Sequence, residues 1–223
     1  MLFSLLMVLC AAPRCFAQVH NTATWPEAVS QADTICLGTI TKTEIETVGR
    51  GVSEFSIATV HVNVIAVLKG TAAQKQITIS DWHLSRVDIP TNKYVVFFLK
   101  DWGGSDYALL DGWEGSLTAL GNEPPLPLLP GLTPFRATGL LMANTLAHAD
   151  HERRWELLLR IRQGLLIDRP VDPYFVKVAT QVGEPKGAHE FLERQIVPLV
   201  KPYVHDSDKD TARVAQLVVA HRL

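Results

Sequence analysis

The densest run of ligand-type side chains in the sequence is His148-Ala149-Asp150-His151-Glu152. A helical metallohydrolase motif sets two His four residues apart with a Glu between them, so that both imidazoles reach one ion. Here the His are three apart and the Glu lies outside the pair. The pattern suits a helix start, where acids are favoured by the positive end of the dipole. Asp101, Asp106, Asp111 and Glu114 fall in neighbouring turns. Ca²⁺ needs six or more oxygens from a loop of strict ligand order. That order is absent, and Asp with Gly is ordinary turn chemistry. His189, His205 and His221 are scattered. No Gly-x-Ser-x-Gly, phosphate-cradling glycine loop or Cys-x-x-Cys occurs, which removes the easily recognised enzyme classes. No catalytic residue, metal or cofactor is expected.

Three tryptophans are better candidates for recognition. Trp82, Trp102 and Trp113 all lie at strand ends or in loops of the first half, where aromatic rings can form a patch for glycans or peptides. The plainer reading is that they plug the ends of a barrel. Cys36 sits in the apolar run Thr34-Ile35-Cys36-Leu37-Gly38. A buried free Cys behaves as a small hydrophobe, whereas a reactive one needs an exposed, electropositive setting.

The elements that must position these residues follow an export signal. Leu2 to Ala12 is almost wholly apolar, shorter than a membrane span, and followed by Pro13 and Arg14. Cys15 and Ala17 are small residues suited to cleavage after Ala17, so residues 1–17 are expected to be a signal peptide. An uncleaved anchor is the alternative. Cleavage would remove Cys10 and Cys15 and leave Cys36 alone, without an intramolecular disulfide. A periplasmic or extracellular location follows, with no stable membrane anchor. The 223 residues carry a net charge of −2, which gives no electrostatic case for nucleic acid.

Residues 18–123 read as short strands with turn chemistry between them, an antiparallel sandwich or barrel. Trp25-Pro26 opens a short helix closed at Ala32-Asp33, since Pro is tolerated in a first turn. Strands are expected over Ile35–Ile40, Phe55–Gly70, Ile77–Ile79, Tyr94–Leu99 and Tyr107–Leu110, and a sixth over Trp113–Leu117. Glu44 to Glu54 reads as a connection, and Gly38 as a bulge or close approach. In the long strand Val60, Val62, Val64, Ala66 and Leu68 alternate, with His61 and Asn63 on the other face. Closure of the strands would hide their edges without disulfides.

The order WPEAVSQADTICLGTI, a long strand ending VIAVLKG, QITIS, KYVVFFLKD and then a tryptophan-glycine hairpin resembles a domain of exported bacterial proteins. That domain is similar to the OB-like barrel of the netrin-like and tissue-inhibitor-of-metalloprotease group. The resemblance covers residues 25 to about 118 and implies an OB-like barrel. In the eukaryotic inhibitors the mature amino-terminal cysteine reaches the protease zinc. A chain beginning at Gln18 has no such cysteine, so that mechanism does not transfer.

Residues 124–134 form a linker in which Pro124, Pro125, Pro127 and Pro130 enforce an extended chain. From 135 to 223 the apolar period becomes helical. Trp155, Leu158, Leu159, Ile161 and Leu165 make a stripe after Asp150 as N-cap. Further helices are expected from Pro173 to Val182, around Phe191 to Leu199, and after Asp206-Ser207-Asp208. The fold class is therefore α+β, an OB-like antiparallel barrel followed by a helical bundle or short HEAT-like solenoid. The expected role is a non-catalytic binding or adaptor protein whose partner is a protein or cell-wall glycan. The alternatives are an inhibitor of an exported protease, then an enzyme of unrecognised class.

Overall fold

The computed structural model describes residues 24–49, 55–72, 74–81, 91, 93–101, 103, 106–110, 117–128, 130–165, 177–178, 180–183 and 187–220. The chain is mixed α+β. Helix α1, Trp25–Gln31, is followed by strands β1 (Thr34–Val48), β2 (Phe55–Lys69), β3 (Gln76–Asp81), β4 (Tyr94–Asp101), β5 (Asp106–Leu109) and β6 (Leu117–Gly121). Helices α2 (Pro134–Thr145) and α3 (His151–Gly164) come next, then α4 over 188–200, a 3-10 turn at Lys201–His205, and α5 (Lys209–Val219). Among the described residues, no helix is long and apolar enough to cross a membrane.

The six strands form one sheet in the order β1-β2-β3-β5-β4-β6, and β1 also pairs with β4. That extra pairing, Thr34↔Leu99 through Thr39↔Tyr94, partly closes the first five into a ring. All pairings are antiparallel except β3 with β5, which is parallel through Thr78↔Asp106 and Ile79↔Tyr107. Inside the ring Cys36, Ile40, Ala58, Val60, Val62, Ile77, Ile79, Val95, Phe97, Leu99 and Tyr107 pack together. The alternation expected of β2 is present: Ala58, Val60 and Val62 point inward, while Asn63 is exposed.

β4 is apolar on both faces because both are covered. Val95, Phe97 and Leu99 enter the ring, whereas Val96 and Phe98 join Ile35, Leu37 and Leu120 in a second core with the helices. Trp25 stands in that second core. It stacks on Phe135 of α2 at 4.3 Å between centroids, and its Nε1 donates to Thr138 Oγ1 at 2.7 Å. Its backbone N–H donates to Gln163 Oε1 of α3 at 3.3 Å. Gly139 of α2 and Gly164 of α3 make room for the indole; a Cβ at Gly139 would lie 2.7 Å from Trp25 Cη2. Residues on both sides of the proline-rich segment thus share one core.

Several expectations shift. Glu44 to Val48, read as connection, continue β1, which ends at Val48, and residues 50–54 of the expected connection lie outside the described residues. A strand lies at Leu117–Gly121, and of the expected Trp113–Leu117 strand, residues 113–116 lie outside the described residues. Helix α2 was not singled out, although Thr133 caps it by accepting from Arg136 N–H at 3.4 Å and Pro134 opens it. In α3 the buried stripe is Leu157, Leu158, Ile161 and Gly164, while Trp155 is 38% exposed. α4 passes Pro198 by widening into a π turn at Leu192–Ile196, where Val197 N–H donates to Leu192 O. Such a turn absorbs the hydrogen bond that proline cannot make.

Candidate functional site

The polar residues singled out by type are held apart from one another. Asp150 is the N-cap of α3 and accepts from Arg153 N–H at 2.8 Å. His148 Nδ1 lies 3.0 Å from Glu123 Oε2, and His151 Nε2 lies 3.5 Å from Asp208 Oδ2. The two imidazoles therefore turn to different carboxylates rather than to one ion. Asp208 is itself the N-cap of α5. The Thr211 backbone N–H donates to it at 2.7 Å, and this bond together with the Thr211 side chain holds its carboxyl below the ordinary value. Asp101 Oδ1 accepts from Gly103 N–H at 2.8 Å, an Asx turn linking β4 to β5. Among the described residues, no group of three or more His, Cys, Asp or Glu could hold a metal ion. Asp111, Glu114 and His221 lie outside the described residues, as do Trp82, Trp102 and Trp113.

Cys36 is fully buried inside the ring, and burial alone pushes its thiol up to about 12. It is a packing residue with no thiolate to offer near neutral pH.

The strand end Leu68-Lys69-Gly70 is structural too. Lys69 Nζ donates to Val29 O at 2.8 Å and Ser30 O at 3.0 Å, and Lys100 Nζ donates to Gln31 O at 2.6 Å. Two lysines thus meet carbonyls at the negative end of α1. Burial pulls the Lys69 ammonium below its ordinary value, the nearby Asp33 opposing this. Gly70 has φ +73°, and any Cβ there would collide with Asp33 O.

The surface left after these assignments is the outer face of β2 and β3. Their register sets Thr59 against Ser80, His61 against Thr78 and Asn63 against Gln76, all pointing away from the ring interior. The Thr59 and Ser80 hydroxyls are 3.0 Å apart. Glu44 approaches His61, Oε2 to Nε2 at 3.6 Å, and pairs with Lys42. Lys42, by hydrogen bond and charge, lowers the Glu44 carboxyl below its ordinary value, and His61 adds to this. Along β2 the same face continues into Ile65, 50% exposed, and Val67, 42% exposed. Hydroxyls, two amides and one imidazole beside two apolar side chains can hydrogen-bond and pack against a ligand.

β5 continues the sheet beyond β3, where Asp106 pairs with Thr78. Sequence reasoning placed His61 and Asn63 on an outward face but did not select it as a site. The signal was available in the alternation of β2 and in Thr78 and Ser80 between buried isoleucines.

Compared with known proteins, the chain matches no protein-family model and no curated protein sequence.

Proposed function

We propose that this is an exported, non-catalytic binding or adaptor protein built on an OB-like barrel. It meets a protein or a cell-wall glycan on the outer β2–β3 face and on the loops carrying Trp82, Trp102 and Trp113. One observation carries the reading. The strip from Thr59 and Ser80 through Asn63 and Gln76 to Ile65 and Val67 is outward-facing and bordered at Thr78 by Asp106 of β5. OB-type barrels bind oligosaccharides and oligonucleotides across strands 2 and 3 and the adjoining loops. The net charge of −2 favours a neutral ligand over nucleic acid.

The ring order β1-β2-β3-β5-β4, with β1 returning to β4, supports the OB-like reading. It is compatible with a netrin-like relationship. Fold analogy alone assigns no activity, and no observed side chain favours protease inhibition. The apolar Leu2–Ala12 run followed by Pro13 supports export through a cleaved signal peptide.

The test is co-sedimentation with purified cell-wall sacculi, together with capture of defined proteins from envelope extract. Asn63→Ala/Gln76→Ala and Trp82→Ala/Trp102→Ala variants, checked for native unfolding midpoints, would be compared with the unsubstituted protein. Binding that falls about tenfold or more in both variants is expected. Binding equal to that of the unsubstituted protein would remove this face as the site.

A further inference from the structure

Beyond the β1–β4 pairing, β1 and β2 run on together, with β2 backed by β3 as far as Ala58↔Asp81. Their register runs through Lys42↔His61, Glu44↔Thr59, Ile45↔Ala58 and Glu46↔Ile57 to Val48↔Phe55. The other edge of β1 is paired with β4 only from Thr34 to Thr39. From Thr41 to Val48 that edge meets no strand among the described residues, and Glu44 to Thr47 are exposed on both faces. Ile45 is 63% exposed. Such an edge presents unpaired N–H and C=O groups as a template for another strand.

We propose that this edge pairs with the same edge of a second copy of the chain, antiparallel, about a two-fold axis at Thr43. The charges select both the occupant and the register. With the axis at Thr43, Lys42 faces the copy's Glu44 and Glu44 faces the copy's Lys42, and the regular ladder ends at Thr41, where β1 breaks register with β2. Shifting the axis to Lys42 sets that charge against itself, and shifting it to Glu44 forms two Lys42–Glu46 pairs but sets Glu44 against its own copy between them. Shifting it to Ile45 sets Glu44 against the copy's Glu46 twice. Opposite charges directly across an antiparallel pair stabilise it and like charges destabilise it. Among these registers, Thr43 alone pairs opposite charges without any like pair, the self-complementarity a closed two-fold contact requires. The result joins β3-β2-β1 of one copy to β1-β2-β3 of the other in a continuous sheet. The shared segment is short compared with a stable dimer interface of about 800 Å² per partner, so association is weak, reversible and concentration-dependent.

Sedimentation velocity on the full chain, as it accumulates in expressing cells, tests this from low to high micromolar concentration. A monomer–dimer equilibrium weakened by added salt is expected. Lys42→Glu and Glu44→Lys each place two like-charge pairs across the axis and weaken association by about tenfold or more. An equimolar mixture of the two variants restores opposite pairs and recovers the dimer. Both substitutions are at exposed positions of β1, and unchanged thermal unfolding verifies that they fold. A monomer at every concentration overturns the proposal. So does a dimer indifferent to either variant, or a mixture that stays monomeric.

Discussion

Trp25 does more for this fold than its place before the first strand suggests. Its ring is fully buried, stacked on Phe135, hydrogen-bonded to Thr138 and seated over Gly139 and Gly164. Trp25→Ala removes the stack, the hydrogen bond and the filled volume together, and should lower stability by about 3–5 kcal/mol in denaturant unfolding. Gly139→Ala should cost about 1–3 kcal/mol by crowding the same indole. A smaller loss for Trp25→Ala than for Gly139→Ala would contradict this packing. Cys36 makes a pH prediction of definite sign. Its pKa is raised from 9.0 to about 12 by burial. The neutral thiol is therefore favoured in the fold, and the thiolate is favoured only on unfolding. Stability attributable to this group is full below pH 9 and declines as pH rises from 9 towards 12. Cys36→Ala or Cys36→Val should flatten the alkaline limb of the unfolding curve. In the native state near pH 8 the thiol should resist a maleimide that labels the unfolded chain rapidly; fast native labelling would refute its burial.

At the level of elements, α1 is defined at both ends by side chains. Glu27 Oε2 accepts from Thr24 N at 2.7 Å and Thr24 Oγ1 at 2.6 Å, and Lys69 and Lys100 hold the carbonyls at the other end. Lys69→Met keeps the aliphatic stem but loses two charge-assisted hydrogen bonds, and should cost about 1–3 kcal/mol. Gly70→Ala forces a side chain into a left-handed backbone against Asp33 O and should also destabilise. Equal thermal midpoints for Lys69→Met and the unsubstituted protein would show that the contact is incidental. The start of α1 was legible because Pro26 announces a first turn. The long β2 and the doubly apolar β4 were legible because burial on one or two faces leaves its period in the sequence. The outer part of β1 was not. TKTEIETV is exposed on both faces, so no apolar alternation marks it, and only the recurrence of Thr41, Thr43, Ile45 and Thr47 carried the strand signal. Helix α2 was obscured by Gly139, whose absence of a side chain is explained only by an indole more than a hundred residues earlier in sequence. The candidate face was partly legible for the same reason as β2. Its completion by β3 and β5 depends on long-range pairing that no local pattern encodes.

Across the whole molecule, the proline-rich segment suggests independent halves, yet packing ties the two sides together. Trp25, Ala28, Val29, Ile35, Leu37, Val96, Phe98 and Leu120 share a core with Phe135, Leu141, Leu158, Phe191 and Val218. Arg160 of α3 also donates to Leu117 O of β6 at 2.8 Å. Within the helices Arg154 gathers the chain, donating to Asp206 Oδ2 at 2.8 Å and Ala149 O at 2.9 Å while its guanidinium lies over Tyr203. That clamp does not fill the space Trp25 would leave between α2 and α3. Elements that share a core lose it together, so equilibrium unfolding should be a single transition. Near-UV signals, which report the packed aromatic rings, should coincide with far-UV signals, which report helix and strand. Residues 124–223 expressed alone should keep helical far-UV character but bind a hydrophobic dye and lack sharp near-UV bands, because the faces of Phe135 and Leu158 that meet α1 are then exposed. Two separated transitions, or a fragment with a cooperative unfolding curve of its own, would show that α1 is an accessory to the helical layer rather than part of its core.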